Sequence, residues 1–161
     1  MKRTKMTVTG GCQCGAVRYA LHQMPHNPHI CHCRMCQKAF GGFFGSLVTC
    51  GNVTWTRGGP KWFASSSGAD RGFCENCGTP LAYETKYGLE LAIGAFDDPD
   101  KVAPVIQVNP RDKLALFDTL TDLPVKISEP DGEWETFMAG LVSHQHPDHD
   151  TDTWPPEGTG Q

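Results

Sequence analysis

Seven of the eight cysteines fall in short clips whose spacing suits metal binding. Cys12-Gln13-Cys14 and Cys74-Glu75-Asn76-Cys77 can each turn two thiolates toward one point, and together they supply the four ligands of a closed, structural zinc site. Gly11, Gly15 and Gly78 flank these clips, where the chain has to turn sharply and positive φ is expected. Such turns aim backbone N–H groups at sulfur and offset part of the charge of four thiolates. A site of this kind would tie the first strands to a segment some sixty residues on, so that metal affinity becomes folding energy.

The cluster Cys31-His32-Cys33-Arg34-Met35-Cys36 has a different character. Three thiolates approach from one side with no fourth cysteine adjacent, which leaves an open coordination position of the kind that separates catalytic from structural zinc. His32 is the alternative fourth ligand, but its place between two coordinating neighbours turns it away. Arg34 and Lys38 are candidate partners for substrate carboxylates, or else solvated surface cations. Cys50 stands alone at the end of an apolar run and reads as a small buried thiol. Four disulfides are the other way to use an even number of cysteines. Tight pairs and a triplet argue against them, as does a reducing compartment.

The elements that must position these cysteines are mostly strands. Residues 16–22 alternate Val17, Tyr19 and Leu21 with Arg18, Ala20 and His22, which predicts a strand with one buried face. Residues 34–40 allow only a short helix before Gly41-Gly42. The runs 43–50 and 53–57, joined at Gly51-Asn52, and the run 61–64 predict a meander. Residues 65–72 read as a polar loop, 81–83 and 89–93 as a hairpin, 97–100 as a helical turn and 105–108 as a last strand. No longer segment keeps a helical period, so the chain is expected to be mainly β.

At 161 residues one domain is expected, bounded by an extension over 1–6 and a tail over 144–161. The tail is rich in His, Asp, Pro, Thr and Gly and predicts disorder, with His144, His146 and His149 able to bind metal adventitiously. A net charge of −4 argues against nucleic acid as a partner. No apolar run approaches the roughly 20 residues of a membrane span, and the basic start runs straight into Thr9-Gly10-Gly11 without a secretory apolar stretch. A cytoplasmic location is therefore expected.

The series Gly11-Cys12-Gln13-Cys14-Gly15, then Cys31-His32-Cys33-Arg34-Met35-Cys36-Gln37-Lys38 with Gly41 and Phe44, then Phe73-Cys74-Glu75-Asn76-Cys77-Gly78-Thr79-Pro80-Leu81 resembles the glutathione-dependent formaldehyde-activating family. Gly94-Ala95-Phe96-Asp97-Asp98-Pro99 extends the likeness, which spans residues 7–125. The resemblance implies a β-tent fold related to methionine sulfoxide reductase B, and two zinc ions per chain. Cys12, Cys14, Cys74 and Cys77 would hold the structural ion, and Cys31, Cys33 and Cys36 the functional, catalytic one. It further implies a carbon–sulfur lyase activity, the reversible addition of a glutathione-type thiol to formaldehyde or a related small aldehyde. A non-catalytic zinc module or glutathione carrier is the alternative, and a thiol redox enzyme acting through Cys50 a third reading. Gln37 departs from the family, which commonly has a basic residue there, and the segment Leu114-Ala115-Leu116-Phe117 lacks a tryptophan often found in it. Both departures bear on which substrate is used. Oligomeric state is not legible in the sequence.

Overall fold

Ten short strands, two α-helices of about two turns and four 3-10 helices make up the regular structure among the described residues of the computed structural model, which are 7–127, 130 and 132–156. The expected extension over 1–6 lies outside the described residues. Strands β1 (Val8–Gly11), β2 (Arg18–Leu21) and β5 (Val53–Arg57) form an antiparallel sheet in the order β1-β2-β5. The second sheet has the order β10-β3-β4-β9-β8-β7-β6. Its members are β3 (His26–Cys31), β4 (Gly45–Cys50), β6 (Lys61–Ser66), β7 (Ala69–Phe73), β8 (Pro80–Thr85), β9 (Gly88–Ala92) and β10 (Ile106–Val108). All its neighbours are antiparallel except β10, which runs parallel to β3. The mainly β expectation is met.

Three local expectations give way to tertiary context. Strands β4 and β5 follow one another in sequence but belong to different sheets, so Gly51-Asn52 joins two sheets and does not close a hairpin. The polar stretch 65–72 is mostly strand: β6 and β7 pair from Lys61↔Phe73 to Ser66↔Ala69, because Arg71 and Gly72 face the protein interior. Strand β2 is buried on both faces, not one. Its second face is closed by Arg18, 3% exposed, which places its guanidinium against Asp97 at 2.8 and 2.6 Å. Charge pairing makes that burial tolerable.

The main core lies between the sheets around Tyr19, Leu21, Val48, Leu81, Leu91 and Phe96. Tyr19 meets Trp55 and Phe96 edge-on, at 5.8 and 5.5 Å between ring centroids, a favoured arrangement of aromatic quadrupoles. A smaller cluster of Cys31, Cys36 and Leu47 sits under helix α1 (Arg34–Phe40). That helix ends as predicted, at Gly41 in the left-handed conformation with φ of 62°. Helix α2 (Glu133–Ala139) buries no residue.

The tail expected to be disordered lies back on the domain over its described part. His146 is buried, its N–H donating to the Gln13 carbonyl at 2.7 Å, and the Trp154 indole donates to the Cys14 carbonyl at 2.7 Å. Asp150 reaches Arg18 at 2.8 Å. His146, one of the residues whose composition suggests disorder, thus hydrogen-bonds to the first cysteine clip, and Asp150, another, to β2. Residues 157–161 lie outside the described residues.

Candidate metal centres

Two sets of potential ligands gather among the described residues: Cys12, Cys14, Cys74 and Cys77, and separately Cys31, Cys33 and Cys36. Within each set the sulfur atoms all lie within 4.8 Å of one another. Both groupings match those expected from spacing. A tetrahedral ion with Zn–S bonds of about 2.3 Å holds its sulfurs about 3.8 Å apart. The Cys12–Cys14 and Cys14–Cys74 separations, 3.6 and 3.9 Å, bracket that value. The four-cysteine set therefore suits a tetrahedral ion, and the three sulfurs of the other set are close enough to share one.

The four-cysteine set is positioned by two turns. The Cys12 clip leaves β1, with the Cys12 amide donating to the Val17 carbonyl at 2.9 Å. The Cys74 clip leaves β7, with the Gly78 amide donating to the Cys74 carbonyl at 2.8 Å. Gly15 and Gly78 take positive φ of 81° and 78°. Gly11 does not: it is a strand residue whose added Cβ would come within 2.4 Å of the Val17 carbonyl oxygen. Close approach, not handedness, selects that glycine. A backbone donor reaches sulfur as anticipated, from the Val17 amide to Cys12, and the Asn76 side chain adds an unanticipated one to Cys14, both at 3.2 Å. Burial pushes the Cys12 thiol up. Burial also opposes ionisation of Cys77, but hydrogen bonding from Thr79 outweighs it and brings that thiol down to about 6. A bound cation would hold the whole set as thiolates.

The three-cysteine set spans the end of β3 and the start of α1. Cys33 caps the helix, its sulfur accepting the Cys36 amide at 3.3 Å. Two residues far away in sequence complete the surroundings. The Arg71 guanidinium on β7 donates to the Cys36 sulfur, and the Asn109 amide after β10 donates to the Cys31 sulfur, each at 3.3 Å. Hydrogen bonding with Cys36, then Asn109, outweighs burial to lower the Cys31 thiol. The Cys36 thiol moves the other way, raised by the same contact with Cys31 and by burial. His32 does not close this set. Its ring turns away, with Nε2 on Gln107 at 2.8 Å and Phe117 edge-on at 4.7 Å.

A cavity of about 570 Å³ opens in front of these three sulfurs, with Tyr83, Glu90, Asn109, Arg111 and Arg71 in its wall. Arg34 and Lys38 are not in that wall. They line an adjoining groove, which shares Met35 and Arg71 with the cavity. The departure at Gln37 has a structural reason. This buried amide donates to the carbonyls of His32 and Asp112 at 2.8 and 2.9 Å and accepts from Arg34 at 3.1 Å, pinning α1 to the segment after β10. A basic residue there would lose the acceptor that Arg34 uses. Cys50 is 6% exposed, and burial pushes its thiol up to about 12, in contrast to the accessible, low-pKa thiol that a redox nucleophile needs.

Neither Arg71 nor Asn109 carries a sequence signal, since each lies over thirty positions from the sulfur it meets. The geometry makes a testable demand on Arg71, which also bonds Ser65 at 3.0 Å and stacks over Tyr83 at 4.7 Å. Arg71→Met keeps much of the stem and deletes the donor. It is expected to weaken metal at the three-cysteine set by roughly 10–100-fold, the usual effect of losing such a supporting contact, and to leave the four-cysteine set unchanged. Competition against a chromogenic chelator reads both. Equal weakening of the two sets would show that Arg71 acts on the fold as a whole.

The family described as "Glutathione-dependent formaldehyde-activating enzyme" matches residues 7–111. No curated protein sequence matches the chain. Among solved structures, a crystal structure of a Rhodobacter sphaeroides protein is similar at 17% identity and a TM-score of 0.47, over 62% of this chain and 99% of that one. No helix among the described residues is long and apolar enough to cross a membrane.

Proposed function

For this chain, which belongs to the glutathione-dependent formaldehyde-activating enzyme family, we propose a zinc-dependent carbon–sulfur lyase that adds a glutathione-type thiol to formaldehyde or a related small aldehyde. The observation that carries the reading is the asymmetry of the two cysteine sets: one has four sulfurs and is closed, the other has three and faces a cavity. Cys12, Cys14, Cys74 and Cys77 would hold a structural zinc, and Cys31, Cys33 and Cys36 a functional one. Zinc at the three-cysteine set supplies a coordination position that favours thiolate over thiol in a substrate whose free pKa is near 8.5. The two sheets, antiparallel except where β10 joins β3 and clipped together by cysteines, support the β-tent reading. Eight free cysteines, seven of them in sets suited to metal, accord with a reducing, cytoplasmic setting.

The chain's own residues do the rest. Arg71, Asn109 and the Cys36 amide each donate to one of the three sulfurs and orient the set toward a common point. Arg111 in the cavity wall offers a fork for a carboxylate of the thiol substrate. In the addition, a sulfur–carbon bond forms as the carbonyl π bond breaks, and the thiol proton ends on the former carbonyl oxygen. His29 and Glu90, 3.8 Å apart in the same wall, are placed to carry that proton. Holding both reactants in one cavity is the main source of acceleration, since addition of thiols to aldehydes needs little further activation.

The test is Cys33→Ala in zinc-replete buffer, with formation of hydroxymethylglutathione followed by NMR. The rate is expected to fall to that of buffer without protein, with one zinc lost per chain. A Cys33→Ala rate equal to the wild-type rate would sink the mechanism. Equal rates with and without the wild-type chain would leave a carrier in place of an enzyme.

A further inference from the structure

The groove beyond α1 is not used by the reaction as described. It has a volume of about 480 Å³, within the range of small-molecule sites, and lies between α1 and the β6–β8 face. Its walls are apolar, with Phe40, Phe63, Phe73, Pro80 and Ala82 among them. The charged side chains that line it are Arg34, Lys38 and Arg71, with no carboxylate, on a chain whose net charge is −4. Met35 and Arg71 belong to the walls of both the groove and the cysteine cavity. Arg71 is also the donor to Cys36 at 3.3 Å. A ligand in the groove therefore ends one side chain away from the reacting centre.

We infer that this groove binds an apolar body carrying a carboxylate, and that it extends the acceptor range of the chain to aldehydes of that class. The inference rests on the thiol-addition reading for the place of the carbonyl, but the binding does not. Formaldehyde has no group to fill such a volume. Glutathione suits it poorly, because its peptide groups would be desolvated against phenyl rings with little but the Ser65 hydroxyl as a neutral polar partner. An arylalkyl carboxylate satisfies both features: its ring displaces water from the aromatic walls and its anion meets Arg34 and Lys38 at the rim. The aldehyde end of such a molecule then points past Arg71 toward the thiol.

The binding test is calorimetric titration of the zinc-replete full chain with 4-phenylbutyrate, its neutral alcohol 4-phenylbutanol, and acetate. The carboxylate is expected to bind saturably, the alcohol about tenfold more weakly for want of the ionic contact, and acetate not measurably. Lys38→Ala should remove most of the preference of carboxylate over alcohol. Ala39→Trp, at an exposed wall position, should abolish binding of both by filling the groove. In the reaction with glutathione, the rate with 4-formylbenzoate relative to formaldehyde should fall at least about tenfold in Ala39→Trp. Saturable binding without preference for the carboxylate, or affinity unchanged by Ala39→Trp, would overturn the inference. So would concentration-dependent dimerisation that Ala39→Trp abolishes, since the groove would then be a contact between copies. Selective binding of 4-phenylbutyrate by a wild-type chain that accelerates no thiol addition would uphold the groove and defeat the proposed reaction.

Discussion

Cys74→Ser is expected to abolish the cooperative thermal transition of the chain, whereas Cys33→Ser is expected to melt within a few degrees of the wild type. Both remove one sulfur from a metal set, so the contrast rests on what each set joins. Cys74 leaves β7 of the seven-stranded sheet and Cys12 and Cys14 follow β1 of the three-stranded sheet, so that the four-cysteine set ties together both sheets and residues 60 positions apart. Structural zinc binding in small domains is worth about 10–16 kcal/mol, comparable with or larger than the roughly 5–15 kcal/mol of net stability of an ordinary domain. Weakening it leaves Cys12, Cys14 and Cys77 as buried or half-buried thiols whose proximity has no compensating charge. Cys31, Cys33 and Cys36 are local in sequence and flank a single junction between β3 and α1, so their closure constrains little of the unfolded chain. Far-UV circular dichroism melts with zinc measured by elemental emission give the answer. About two zinc ions per wild-type chain and about one in folded Cys33→Ser are expected. A Cys74→Ser chain that melts like the wild type would show that the sheets hold together without the clip.

How much of this picture is legible in the sequence follows from the range of each interaction. Cysteine spacing is local, so both ligand sets, the short helix and its Gly41 stop can be read from residue order alone. So can the orientation of His32, because side chains alternate on either side of an extended segment. The supporting donors cannot. Arg71 reads as part of a polar loop, and only the pairing of β6 with β7 and β8 shows that its side chain is buried under the cysteines. Asn109 reaches Cys31 only because β10 lies parallel to β3, a pairing that requires a crossover and has no signature in three residues. The division of 43–57 between two sheets is hidden for the same reason: a two-residue Gly-Asn link serves a hairpin or a change of sheet equally well. Arg34 and Lys38 are cations close to the cluster in sequence. The helix turns them away from the sulfurs and into the adjoining groove, a consequence of its 3.6-residue turn that a linear reading misses.

Asp97 shows what a composition-based reading of the tail and of β2 leaves out. It gathers the Arg18 guanidinium at 2.8 and 2.6 Å and the Thr9 hydroxyl at 2.5 Å, and its amide donates to the Thr9 carbonyl at 3.0 Å. One carboxylate thereby joins β1, β2 and the turn after β9, with Asp150 of the tail on the same guanidinium. Burial acts to raise its pKa, but the hydrogen bonds and charge of Arg18, with Thr9, outweigh it and hold the carboxyl below the usual range. A carboxyl lowered on folding contributes stability that is fully present above its unfolded pKa of about 3.9 and is lost as pH falls through the lower folded value. Urea denaturation of the wild type should therefore weaken steeply below about pH 4, and the part of that decline due to Asp97 should be missing in Asp97→Ala. At neutral pH the same variant is expected to cost about 3 kcal/mol, the low end for stripping one partner from a buried ion pair, because Asp150 still faces the guanidinium. Adding Arg18→Met to Asp97→Leu should recover much of the loss, since a buried pair replaced by apolar groups is often close to neutral. If the double replacement were less stable than Asp97→Ala alone, Arg18 would be holding the tail in place through Asp150 more strongly than it serves the β1–β2 sheet, and the acid-sensitive link would lie at the tail.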